Sequence, residues 1–80
     1  MTRQELIDKL YEWYCEWVDN QNEPLFKEIT TADQGAYLQK RSILMKEDKM
    51  RRLNIMTDEQ LKTMFVQELI RKESYVKDEN

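Results

Sequence analysis

The sequence predicts an all-α protein: a small bundle of three main helices plus a short helical segment near residues 24–29. Three observations point there. A capping box occurs at Thr2 with Glu5, at Thr31 with Gln34 and at Thr57 with Gln60. In each, a Thr hydroxyl can accept from a first-turn amide while the Glu or Gln side chain answers the amide of the Thr. Apolar residues recur at helical spacing after each box. One Gly and one Pro in 80 residues leave little material for the tight turns an all-β fold needs.

The first helix is expected from about Arg3 to Asp19. At about 100° per residue its apolar side chains fall on one arc: Trp13, Leu6, Trp17, Leu10, Tyr14, Ile7, Val18 and Tyr11. Both Trp residues and two of the four Tyr residues sit here, so this helix brings the largest apolar payload, with Trp13 and Trp17 expected to face inward. Glu5, Asp8, Glu12, Glu16 and Asp19 form an acidic ridge on the opposite arc. Asn20, Gln21 and Asn22 are poor helix formers and are expected to end the helix. Pro24 suits the first turn of a separate short segment, where its missing amide costs nothing, and Leu25, Phe26 and Ile29 share one side of it.

The second helix is expected from about Ala32 to Leu53. Its apolar residues form several lines: Ala36, Ile43 and Met50; Tyr37 and Leu44; Leu38 and Met45. A helix apolar on several sides needs several neighbours, so it is read as the central helix or as one meeting another chain. The third helix is expected from about residue 58 to residue 74, with Leu61, Met64, Phe65 and Leu69 as its main face and Val66 and Ile70 as a second patch. Asp58 and Glu59 at its start, and Arg71 and Lys72 near its end, complement the helix dipole. The polar tail, residues 76–80, is expected to fray.

Eighty residues make a single helical domain, 1–80, of modest stability, and a partner or second copy could supply missing burial. No apolar run approaches the length of a membrane span, and the N-terminal stretch has no apolar signal core. With the single Cys15 this fits a reducing, cytoplasmic setting. Net charge is −3. The acids concentrate before Gln34, whereas Lys40, Arg41, Lys46, Lys49, Arg51 and Arg52 make the middle basic. Neighbouring helices can use that asymmetry on each other, or a partner can use it.

Catalytic, metal and cofactor sites are not expected. The chain has no His, the commonest general base and metal ligand. Cys15 lies near Glu12, Glu16 and Asp19, which blunt a thiol, so it is read as a small hydrophobe. The loop Asp19 to Pro24 lacks the Gly and the bidentate Glu of a calcium loop. Two binding surfaces stand out. The ridge Glu5, Asp8, Glu12, Glu16 and Asp19 is a docking strip for a basic protein surface, or a solvated helix face. Arg41, Lys46, Lys49 and Arg52 could track nucleic-acid phosphates, although Asp58 and Glu59 would open a recognition helix with repulsive charge. Met45, Met50, Met56 and Met64 add adaptable apolar surface in the second half.

The sequence reading is therefore a non-catalytic cytosolic protein-binding inhibitor or regulator, of a kind suited to a mobile element. A protein partner or a second copy of the chain (a homodimer) is expected and a membrane is not. The alternative is a small nucleic-acid-binding regulator using the basic second helix.

Overall fold

The computed structural model describes the backbone of residues 1–79 and the side chains of residues 1–73. Three helices follow one another: α1, Arg3–Lys27; α2, Ala32–Ile55; and α3, Asp58–Glu79. The fold class is all-α, with no strand among the described residues. No helix among them is long and apolar enough to cross a membrane.

The caps form where the sequence places them, because they are bonds between residues three apart. The Glu5 amide donates to Thr2 Oγ1 at 3.2 Å and the Thr2 amide to Glu5 Oε1 at 3.3 Å. The Gln60 amide donates to Thr57 Oγ1 at 3.1 Å and the Thr57 amide to Gln60 Oε1 at 2.9 Å. The middle cap is displaced by one residue on its return half. The Gln34 amide donates to Thr31 Oγ1 at 3.3 Å, but Gln34 Oε1 accepts from Thr30 rather than Thr31.

The expected stop at Asn20–Asn22 and the separate segment at 24–29 are corrected. α1 runs unbroken to Lys27, with Pro24 inside it. The reason is a long-range bond. Asn22 is only 8% exposed and its side-chain amide donates to the Ser42 hydroxyl of α2. A partner on another helix thus offsets a weak local preference. α3 is helical to Glu79, past its expected end, since no Gly or Pro interrupts it. The expected frayed tail, 76–80, lies partly outside the described residues.

The second helix is not the central one. α1 is flanked by α2 on one side and α3 on the other, while α2 and α3 touch little beyond their shared corner at Met56 and Thr57. α1 and α2 are antiparallel, tied by Asn22 to Ser42 at one end and by the Arg3 guanidinium donating to the Asn54 carbonyl at 2.9 Å at the other. α3 starts beside the beginning of α1, where Arg3 meets Asp58 at 2.7 Å.

The fully buried cluster is small: Leu6, Ile7 and Leu10 from α1, Leu53 from α2 and Leu61 from α3. Tyr11, Trp13, Met50, Met56, Met64 and Phe65 pack around it, half-buried. The core therefore sits in the corner where all three helices meet, and from there the helices splay. The backbone fills a slab of 44 × 36 × 14 Å. A closed three-helix bundle, with axes 8–10 Å apart, would be about 15 Å across in both short directions. The radius of gyration is 15.2 Å, against about 11.6 Å for a compact chain of this length. The surface of 6336 Å² exceeds by roughly 1,100 Å² the area of a compact chain of this mass.

Candidate functional site

Because α2 and α3 grip α1 from two sides and then part, the stripe between them is closed at the buried Leu10 and opens beyond it. Ile7, Tyr11, Val18 and Asn22 lie on the α2 side of α1; Leu6 and Trp13 lie toward α3. Leu10, Tyr14, Trp17 and Gln21 run down the middle and form the floor of a groove. The expectation that both indoles face inward is corrected at Trp17, while Trp13 does pack against the core. Trp13 is half-buried, stacked on Phe65 with ring centroids 5.3 Å apart. Trp17 is 43% exposed, its ring 6.0 Å from that of Tyr14. Two diverging helices cannot roof an apolar arc this wide.

The groove has two depressions that meet at Trp17. The first, about 210 Å³, has Leu10, Trp13 and Tyr14 beneath it, Lys49 of α2 on one wall and Met64, Glu68 and Arg71 of α3 on the other. The second, about 160 Å³, lies between α1 and α2, where Gln21 and Leu25 face Arg41 and Met45. Past Leu25, a shallower apolar surface of Ile29, Tyr37 and Leu38 is edged by Glu28 and Asp33.

Cations surround the aromatic floor. Lys49 Nζ stands 5.1 Å from the Tyr14 ring centroid and 4.0 Å from Met64 Sδ. Lys9 and Lys72 lie over Trp13, at 5.6 and 5.1 Å. Such contacts hold a cation against a ring face without neutralising it. Arg71 pairs with Glu68 at 2.6 Å.

The acidic ridge lies about 180° around α1 from the groove floor, exposed along its length. Most of its members are engaged nearby. Glu5 caps the helix, and bonds from the Thr2 amide and then its hydroxyl hold the Glu5 carboxyl below its ordinary pKa. Asp8 accepts from Gln4 at 2.8 Å, Glu12 lies 3.6 Å from Lys9, and Asp19 pairs with Lys46 at 2.9 Å. Glu16 has no partner among the described residues. No three His, Cys, Asp or Glu side chains gather into a metal-holding group among the described residues.

The basic set is not brought together as one face. Lys46 turns to Asp19, whose hydrogen bond raises its pKa, and Arg52 turns to Asp48 at 2.9 Å. Lys49 and Arg41 instead edge the groove. Cys15 is a half-buried free thiol; hydrogen bonding to it, together with burial, pushes the Tyr11 hydroxyl above its ordinary pKa.

The groove did not stand out from the sequence, yet a signal was present. The apolar arc of α1 spans roughly 160°, enough to serve two neighbours with a stripe left between them. The chain matches no known protein family, no curated protein and no solved structure.

Proposed function

We propose that this chain is a non-catalytic protein-binding module, a regulator or inhibitor that acts by occupancy, and that the aromatic groove is its docking surface. The observation that carries the reading is the stripe that opens past the buried Leu10, where half-buried Tyr14 leads to Trp17, its indole 43% exposed. Large amphipathic rings at low rotamer entropy suit protein contacts. Half-buried Met45 and Met64 on the walls can adapt to an incoming side chain. A chain without His offers little for general acid–base work, and a reducing cytoplasm suits the free Cys15. On this reading the ridge chiefly keeps the surface charged and soluble.

The nucleic-acid alternative has less support, because Lys46 and Arg52 are already paired. A photo-crosslinking residue placed at Tyr14, compared with one at Glu12 on the far side of α1, tests the proposal in the native host. Crosslinks to protein from position 14 and not from position 12 are expected. Crosslinks to nucleic acid, or protein adducts only from position 12, would reject it.

A further inference from the structure

The groove face is basic on a chain whose net charge is −3. Arg41 and Lys49 stand at its edge with no carboxylate partner among the described residues, and Arg71 already holds Glu68. This charge discriminates between occupants. A second copy presenting the same face would set these cations against their own duplicates, which disfavours a symmetric pairing. A second copy presenting its acidic ridge would have suitable charge. However, the ridge from Glu5 to Asp19 carries no large apolar side chain to seat in the depressions.

The spacing of the depressions adds a second constraint. One centres on Trp13 and Tyr14 and the other on Gln21, so they are about seven residues apart along α1. At 1.5 Å per residue that is roughly 11 Å, two turns of an α-helix and hence the i to i+7 separation of a docked helix. We infer that the groove takes an acidic amphipathic helix of a partner protein. Its two bulky apolar anchors, one heptad apart, seat on either side of Trp17, with carboxylates over Arg41 and Lys49. This rests on the protein-binding reading above.

The full chain is titrated with helix-prone synthetic peptides of about 18 residues, long enough to hold helical structure. One carries Leu at i and i+7 with Glu flanks, a second the same anchors with Lys flanks, and a third Glu flanks with Ala at i+7. Indole fluorescence and backbone amide shifts report binding. The first peptide should bind at least about tenfold more tightly than either of the others, about 1.4 kcal/mol, with shifts centred on Tyr14, Trp17 and Lys49. Arg41→Glu, at an exposed residue, should weaken the Glu-flanked peptide relative to the Lys-flanked one while leaving the thermal melt in place. Adding Lys49→Glu should complete the reversal at some cost in melting temperature, since Lys49 packs on Tyr14. Lys-flanked peptide binding equally well in the groove would overturn the acidic helix and keep the protein-binding reading. No peptide binding, with a concentration-dependent dimer that shields Trp17, would make the second copy the occupant and overturn this inference. No peptide binding by a strict monomer would overturn both.

Discussion

Replacing Asn22 with alanine should unwind the last two turns of α1. Those turns are close to balanced. Pro24 in the helix interior disfavours them by about 3 kcal/mol, and Asn20 to Asn22 add nothing in their favour locally. Leu25 and Phe26 are 41% and 40% exposed, so their partial burial returns only about 1 kcal/mol each. The exposed Glu23–Lys27 pair, 4.0 Å apart, adds about a few tenths of a kcal/mol at most, and the largest tertiary contribution is the bond from Asn22 to Ser42. Its removal leaves the half-buried Ser42 hydroxyl without that partner, at about 1–3 kcal/mol. Amide hydrogen exchange reads the result. Protection at 21–27 should fall by about tenfold to a hundredfold, while Leu6 to Tyr14, around the corner core, keep theirs. The Asn22→Ala, Ser42→Ala cycle should show coupling of about 1 kcal/mol. Unchanged protection at 21–27, or a loss spread evenly over all three helices, would refute the idea that one interhelix bond holds this end.

Leu53→Ala or Leu61→Ala should lose about 2–5 kcal/mol, a large part of the roughly 4–12 kcal/mol available to a chain of this size; a thermal melt shifted by less than a few degrees would contradict a core this small. Hydrogen bonds to Asp19 and to Cys15 hold Lys46 and Tyr11 above their ordinary 10.5 and 10.0. Both groups keep their protons longer when folded, so this stabilisation is complete below about pH 10 and is lost as pH rises through the raised values. Denaturant titrations should therefore show stability declining on that alkaline limb, less steeply in Lys46→Met; an identical slope would remove Lys46 from the account. Glu12→Lys with Glu16→Lys should change stability by no more than about 0.5 kcal/mol and leave peptide binding in the groove intact, whereas loss of binding would restore the ridge as the docking strip. In a gel-shift assay at low salt, DNA and RNA should cause no displacement; a shift that weakens steeply with salt and fails on Lys46→Glu with Lys49→Glu would favour the nucleic-acid alternative.

The second helix shows why part of the architecture was hidden. Its inward side carries Leu38, Ser42, Met45, Lys49 and Leu53, mixing a hydroxyl and an ammonium among apolar groups. Its outward side carries Tyr37, Leu44 and Ile55, the last 83% exposed. Hydropathy alone therefore gave equal weight to Leu38 and Met45, which turn inward, and to Tyr37 and Leu44, which the fold leaves in water, and passed over the two polar residues that meet α1. Ser42 faces inward because Asn22 is there to meet it, and Lys49 because Tyr14 offers a ring face.

What acts within four residues of the chain was legible. Thr2, Thr31 and Thr57 fixed the helix starts, the repeat of Leu6, Ile7 and Leu10 marked the core face, and the glutamates of α1 had to share the opposite side. These follow from a backbone period and from hydrogen bonds that close over a single turn. The persistence of α1 through Pro24, its central place, and the half-exposed Trp17 depended on groups brought together from separate helices. Where α2 and α3 cross α1 is set by how their side chains interlock at the corner of Leu10, Leu53 and Leu61. Only that tertiary packing decided that the helices splay beyond it and leave a groove.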